Sequence, residues 1–150
     1  MSALSSLLRF RRMPASEPVF LNVDLDVESR EALGQFVDAL PSLVVMFSAR
    51  MRRRHVLSLE LAVPGLSLDQ TLRRFAKMIS ALSGKPRRLW QRATKRCFNI
   101  GFECGDRRAP PFVIPSAAVE AIAALGGSLA ITLYPRERQR SVTRGPSGAR

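Results

Sequence analysis

Carboxylate and amide side chains recur at alternate positions along three segments that have the pattern of strands. These segments are VFLNVDLDV, HVLSLELAV and RCFNIGFECG, and their candidate binding residues are Asp24, Glu60, Asn99 and Glu103. Because side chains two residues apart share one face of a strand, each lies opposite an apolar row. If the first and third strands are central neighbours, Asp24 and Glu60 are expected to be close, with Glu103 on an adjoining strand.

Three interpretations of these carboxylates remain open. They form an ordinary solvated face partly neutralised by arginine, where each ion pair contributes little. They form a docking surface for a protein partner that carries basic groups. Alternatively, they form a divalent-metal or acid–base site, for which carboxylates are suitable ligands.

The two cysteines lie seven residues apart in one predicted strand, so their side chains leave opposite faces. This excludes a disulfide between Cys97 and Cys104 and a shared metal. Cys104 is expected in the core, and Cys97 is expected to be exposed beside basic neighbours that lower a thiol pKa. His55 is the single histidine and belongs to no catalytic or metal motif. No cofactor, no metal site and no catalytic residue are expected.

Basic residues cluster in the segment ARMRRR and around KPRRLWQRATKR. The predicted basic rim comprises Arg52, Arg53, Arg54, Arg87, Arg88 and Trp90. Cations meet phosphates and an exposed aromatic ring can stack on a base, so this rim favours nucleic-acid binding. The carboxylates on the sheet face would repel a phosphate backbone, which restricts any RNA or DNA contact to the rim.

Hydrophobic periodicity predicts the elements that hold these residues. The first strand leads into a helix with Ser29 as N-cap, and the second helix starts with a capping box of Ser67 and Gln70. Gly84 and Pro86 are predicted to end that second helix, and RRLWQRAT is predicted to form a short helical turn. In the last strand, LAITLYP, the residues predicted to face the core are Leu129, Ile131 and Leu133.

The predicted order is β-α-β-β-α-β-α-β, which is typical of an α+β fold. We expect a ferredoxin-like two-layer sandwich with an added C-terminal α-β unit, a mainly antiparallel sheet and helices on one face. Every strand except the second has one apolar and one polar face. The predicted organisation is a flexible basic arm over residues 1–18, a single domain over 19–135 and a disordered basic tail over 136–150.

The net charge of the 150-residue chain is +12, and half of it lies in the terminal segments. Residues 1–18 carry +2 and residues 136–150 carry +4. The only lysines are Lys77, Lys85 and Lys95, so the excess is almost entirely arginine. No apolar run reaches about 18 residues, so no membrane span is expected. Charge does not precede the apolar N-terminal residues as in an export signal, so a cytoplasmic location is expected.

Three longer segments are similar to small bacterial proteins classed as domains of unknown function. These segments are LNVDLDVESREAL, RRLWQRATKRCFNIGFE and AVEAIAALGGSLAITLYP. The resemblance rests on an F-[ND]-I-G-[FY]-E strand motif and a final G-x-x-L-x-[IV]-x-[LVI]-Y pattern, and it covers roughly residues 19–135. Proteins of this kind include immunity-type proteins encoded near toxins, which bind rather than catalyse. The basic charge departs from the acidic charge common among immunity proteins that mask nucleases.

The sequence therefore predicts a non-enzymatic, cytoplasmic domain that binds a protein partner, as toxin-immunity proteins do. We expect it to use the open sheet face and the basic rim. The alternatives are a nucleic-acid-associated protein that uses the arginine-rich rim and a metal-dependent enzyme that uses the sheet-face carboxylates.

Overall fold

A computed structural model describes residues 17–108 and 111–136 of the chain. Its strands are β1 (Val19–Ser29), β2 (Leu43–Met51), β3 (Arg54–Leu61), β4 (Lys95–Glu103) and β5 (Ser128–Tyr134). Its helices are α1 (Gly34–Asp38), α2 (Leu68–Ser80), α3 (Gly84–Arg92) and α4 (Ser116–Ala124). The predicted arm and tail lie almost entirely outside the described residues. Among those described, no helix is long and apolar enough to cross a membrane.

The five strands form one sheet in the order β2-β3-β1-β4-β5. The first three neighbouring pairs are antiparallel, and β4 with β5 is parallel. This arrangement confirms an α+β fold with a mostly antiparallel sheet. It also places β1 at the centre, hydrogen-bonded to β3 on one side and to β4 on the other.

The core lies between the helices and one face of the sheet. Alternate residues of β1, β3 and β4 are buried there because period-2 alternation sends their side chains to the same side. Phe98 of β4 is fully buried and packs edge-to-face against Phe75 of α2, with ring centroids 5.6 Å apart. On β1 the same face is formed by Val23, Leu25 and Val27.

The start of α2 confirms the predicted capping box. The Gln70 backbone N–H donates to the Ser67 Oγ over 3.2 Å, and the Ser67 backbone N–H donates to the Gln70 Oε1 over 2.9 Å. Both donors would otherwise lack an intrahelical acceptor. The cap therefore fixes the point at which the chain leaves the loop after β3 and begins the helix over the core.

The start of the first helix differs from the prediction. Ser29 is not its N-cap, because β1 continues through Ser29, which is buried and accepts a hydrogen bond from the Glu31 backbone N–H. The helix starts only at Gly34 and has five residues. Leu33 and Phe36 are nevertheless buried as the apolar spacing requires. Most of the segment between β1 and β2 is therefore loop rather than helix.

The segment after α2 also differs. Gly84 and Pro86 were predicted to stop a helix, and they instead open a new one, α3. Gly84 adopts a φ of +58°, which suits glycine and turns the chain between α2 and α3. Pro86 is tolerated because it lies in the first turn, where an N–H has no intrahelical partner.

The last strand is less covered than predicted. Leu129 packs against the core, whereas Ile131 and Leu133 lie on the helix side of the sheet but are 62% and 64% exposed. The reason is their position on an edge strand, combined with the packing of α4 mainly against α2. This corner of the helix side therefore carries exposed apolar surface.

Candidate functional site

The open face is the side of the sheet that faces away from the helices. Its rows alternate with the buried ones and consist mostly of half-buried polar groups. The polar members on the three central strands are Asn22, Asp24, Asp26, Glu28, Ser58, Glu60, Asn99 and Glu103. Five of these eight side chains are carboxylates, so the candidate site is an acidic stripe across the middle of the sheet.

A hydrogen-bonded group of three side chains, which we call the carboxyl cluster, consists of Asn22, Asp24 and Glu60. Its two acidic members, Asp24 and Glu60, are the carboxyl pair. The Asn22 Nδ2 donates to the Asp24 Oδ1 over 3.2 Å and also to the Glu60 Oε1. The register explains this meeting, because Leu25 lies opposite Leu59 and so Asp24 lies beside Glu60 on the neighbouring strand. The expectation that Asp24 and Glu60 lie close together is confirmed.

The pair is electrostatically unfavourable when both members are ionised. Burial raises the pKa of Asp24 from 3.8 to about 7, and a hydrogen bond to Glu60 and the charges of Glu60 and Asp26 act in the same direction. A protonated Asp24 donates a hydrogen bond to the Glu60 carboxylate, whereas two carboxylates repel. Near neutral pH the cluster therefore holds between one and two negative charges.

The other end of the stripe is neutralised by cations. Arg54 forms an ion pair with Glu28 at 3.1 Å, and the Lys95 Nζ lies 3.9 Å from carboxylate oxygens of both Asp26 and Glu28. Ser58 donates a further hydrogen bond to Asp26 over 2.9 Å. Within the described residues, neither member of the carboxyl pair has such an ion-pair partner.

Asn99 and Glu103 lie on the same face but in different surroundings. Asn99 is paired with Asp24 across β1 and β4, and its Oδ1 accepts a hydrogen bond from the Thr132 hydroxyl over 2.8 Å. Glu103 is four residues further along β4, or about 13 Å from Asn99 at strand spacing. Three of the four predicted residues therefore come together, and Glu103 stands apart.

Gly101 lets the cluster pack closely against β4. A Cβ at this position would lie 2.7 Å from the Asn22 Oδ1 and 3.2 Å from the Tyr134 Cε2. Its φ lies outside the left-handed region, so the requirement is for space rather than for a special backbone conformation. The space beside Gly101 on this face is thus occupied by the side chains of Asn22 and Tyr134.

Trp90 does not belong to an exposed basic rim, which corrects the sequence prediction. Its side chain is only 4% exposed, and it stacks on Phe36 with ring centroids 5.8 Å apart. Its indole Nε1 donates to the backbone oxygen of Leu125 over 3.1 Å. The helical spacing of α3 turns this ring into the core, so it offers no surface on which a base could stack.

The predicted rim arginines divide into two groups. Arg54 is bound to Glu28, and the Arg87 guanidinium lies 3.4 Å from the Ser80 backbone oxygen at the C-terminal end of α2. Arg52, Arg53 and Arg88 are exposed, the first two at the β2–β3 turn and the third on α3. The rim therefore consists of separate sites rather than one continuous basic groove.

The burial of the two cysteines is the reverse of the prediction. Cys97 is buried on the open-face side of β4, beside Asp26 and Ser128 in the register. Cys104 is only partly buried, because β4 ends at Glu103. The Cys97 thiol is therefore buried, whereas the sequence predicted an exposed thiol beside basic neighbours.

The chemistry available to the open face is proton sharing and the binding of cations or basic side chains. The carboxyl pair can exchange a proton near neutral pH, while His55 lies five residues from Glu60 along β3, or about 17 Å away. No group of three or more His, Cys, Asp or Glu side chains within residues 17–108 and 111–136 has a geometry that could hold a metal ion.

The sequence did not predict the apolar residues of β2 as part of a site. Val44, Val45, Met46, Phe47 and Met51 are each 43–60% exposed. The sequence contained a signal for them, since the second strand was the one without a polar face. Apolar side chains are therefore exposed on both sides of this edge strand in the part of the chain that the structure describes.

Comparisons with known proteins leave this chain without an assigned relative. No protein-family model matches it, and neither a curated protein nor a solved structure does.

Proposed function

We propose that this domain binds a protein partner through the open face, in the manner of a toxin-immunity protein, with the acidic stripe receiving basic groups. The observation that carries the proposal is the carboxyl pair, Asp24 and Glu60, held together without an ion-pair partner among the residues that the structure describes. Such a pair weakens the isolated domain at high pH, and a lysine or arginine from a partner would relieve the repulsion.

The surroundings of the pair support a macromolecular partner. The open face continues from the pair to Tyr134 on one side and to Val44 and Phe47 on the other, all partly exposed. Aromatic and aliphatic residues around a few charged groups are typical of protein interfaces. A cavity of about 380 Å³ opens beside Asn22 and Glu60 at the end of β3, which gives space for an inserted side chain.

We further propose that β1 to β4 with α1 and α2 form a ferredoxin-like sandwich, to which α4 and β5 are added. The neighbour order β2-β3-β1-β4 and the antiparallel pairings support this topology. In that arrangement one sheet face is left without helices, and here that face carries the acidic stripe. The resemblance to immunity-type proteins stated above points in the same direction.

The nucleic-acid alternative has less geometric support. Trp90 is in the core, and the acidic stripe would repel phosphates from the open face of the sheet. Arg52, Arg53 and Arg88 remain exposed, but they lie on two separate elements. A rim of this kind favours weak, salt-sensitive attraction rather than a specific site.

A position-specific photo-crosslinker tests the proposal in the cell that produces the protein. A photo-reactive phenylalanine analogue replaces Tyr134 on the open face, because the substitution preserves the ring. The matched control carries the same analogue at Val119 on α4, where the wild-type side chain has the same 41% exposure. We expect a discrete crosslinked protein from position 134 and none from position 119. Identical adducts at both positions, or none at 134, would contradict the proposal.

A further inference from the structure

The outer edge of β2 is unpaired in the described part of the chain. β2 lies at one end of the sheet, so one row of its backbone N–H and C=O groups faces away from β3. The strand has nine residues, includes neither proline nor lysine, and exposes five large apolar side chains. Edge strands in proteins are ordinarily protected by charges, proline, bulges or a covering element, because an exposed one pairs with another strand. Among these devices β2 has one bulge and one charged residue, Arg50, and its regular part from Phe47 to Met51 lies beyond the bulge.

The straight part of this edge lies next to a cluster of arginines. β2 has a bulge between Val45 and Phe47, after which the pairing with β3 is regular from Phe47 to Met51. Arg50 lies within that regular part, and Arg52 and Arg53 form the turn that follows. None of the three is ion-paired with an acidic side chain that the structure describes.

Arg52 also occupies a backbone conformation that glycine would suit better. Its φ is +55°, and it is the only non-glycine residue with a positive φ among those described. The left-handed region costs an L residue about 1–2 kcal/mol relative to its usual conformations. The tight turn between β2 and β3 therefore holds an exposed cation, Arg52, that has no acidic partner among the described residues.

From these observations we propose that β2 binds an extended acidic segment of a partner protein by strand addition. The backbone of that segment completes the ladder at the outer edge of β2, and its apolar residues contact Phe47 and Met51. Its carboxylates pair with Arg50, Arg52 and Arg53. This site lies at the sheet edge and carries the opposite charge to the open-face stripe, so it is additional to the function proposed above.

Charge selects this occupant over a second copy of the chain. If β2 paired with itself through its regular part, the Arg50 side chains of the two copies would be close, and like charges across strands are destabilising. The apolar edge favours an extended peptide over a nucleic acid, because a nucleic-acid backbone does not form the hydrogen-bond ladder of a β-strand. The opposite edge, β5, exposes Ile131 and Leu133 but has no arginine between Ser128 and Tyr134.

The test uses a nine-residue peptide that alternates glutamate with valine, matched to the nine residues of β2. Two control peptides have lysine in place of glutamate, or methylated backbone nitrogens on one edge that block strand pairing. We expect the acidic peptide to shift the amide resonances of Leu43–Met51 and to bind more weakly as salt is added. Neither control peptide should bind.

Charge reversal on the protein completes the test. We expect Arg50→Glu, Arg52→Glu and Arg53→Glu together to weaken acidic-peptide binding at least about tenfold, or about 1.4 kcal/mol. The matched variant reverses three exposed cations on the helix side, Arg74→Glu, Lys77→Glu and Arg88→Glu, and should bind nearly as the wild type does. Circular dichroism of both variants establishes that they are folded.

Several results would overturn the inference. Equal binding of the methylated peptide would show attraction without strand addition, and resonance shifts confined to β5 would place the site at the wrong edge. Absence of peptide binding at low salt would also reject it. Self-association of the protein through β2, or tighter binding of a single-stranded oligonucleotide than of the peptide at the same arginines, would identify a different occupant. A failure here leaves the crosslinking result at Tyr134 unaffected.

Discussion

The two faces of the sheet are formed by the same strands and meet different physical demands. On β4, Phe98 is fully buried against Phe75 and Trp90, and the next residue, Asn99, lies half-buried on the open face and bonds to Thr132. On β1, β3 and β4 the helix side is satisfied within the domain, because aromatic and aliphatic side chains cover it. The open face keeps a carboxyl pair whose members repel each other.

This difference separates residues that are needed for folding from residues that are available for binding. Burial and packing are sufficient to explain why Phe98 and Leu25 are apolar, since both are fully buried. They are not sufficient for Asp24, because burial disfavours its charged form. A side chain that costs the isolated domain stability is expected to serve something outside it.

The largest effect is expected from substitutions of neighbouring residues on opposite faces. Phe98→Ala removes a fully buried ring and should lower the free energy of unfolding by about 3–5 kcal/mol. Asn99→Ala removes one partly exposed hydrogen bond and should cost about 1 kcal/mol or less. Urea denaturation measures both. Comparable losses would mean that the open face is as important for folding as the core.

A smaller loss is expected where β4 meets the carboxyl cluster. Gly101→Ala places a Cβ 2.7 Å from the Asn22 Oδ1, so the amide must move, and the cost should be about 1–3 kcal/mol. The matched control is Gly34→Ala, where nothing lies within 4 Å of the added atom. The cost at Gly101 should fall when Asn22 is also changed to alanine. An undiminished cost in that double variant would place the clash elsewhere.

The smallest expected effect is a gain in the free energy of unfolding, and this gain depends on pH. Because the pKa of Asp24 is about 7 in the folded protein and 3.8 as a model value, the folded state binds more protons between these values, and stability falls as pH rises through them. Asp24→Asn keeps the donor to Glu60 and removes this loss. After allowance for the half-exposed side chain, the variant should gain about 1–2 kcal/mol above pH 7.

Thermal denaturation of the wild type and Asp24→Asn across this pH range measures the difference. Well below pH 4 the Asp24 side chain of the wild type is protonated in the folded and the unfolded state, so it is neutral as the asparagine of the variant is. The two proteins should then be nearly equal in stability. A constant difference between the variants at all pH values would mean that Asp24 does not titrate in this range.

Periodicity was sufficient to predict the parts of the fold that bury one side of a strand or helix. The buried rows of β1, β3 and β4 and the cap of α2 depend on local pattern, and the structure confirms them. The sequence predicted that Asp24 and Glu60 are close by assuming that the first and third strands are neighbours, and the register confirms this assumption. Local pattern and one topological assumption therefore located the carboxyl pair.

The errors arose where tertiary packing decides the outcome. Trp90 stands among arginines in the sequence, and only the direction of α3 over Phe36 shows that its ring is buried. Ile131 and Leu133 alternate as core residues do, yet they lie on an edge strand and are mostly exposed. The sequence cannot reveal which end of a sheet remains uncovered, and for the same reason the exposed apolar residues of β2 were not predicted as a site.

The most direct test of the open face as a docking surface uses the partner protein that is captured by the crosslinker at position 134. The affinity of this partner is measured for two variants of the domain that lose the same number of charges. One variant carries Asp24→Asn and Glu60→Gln on the open face, and the other carries Asp69→Asn and Glu120→Gln on the helix side. Calorimetric titration above pH 7, where Asp24 is mostly ionised, should show at least about a tenfold loss for the first variant. The second should bind as the wild type does. Equal affinities for both variants would contradict the account.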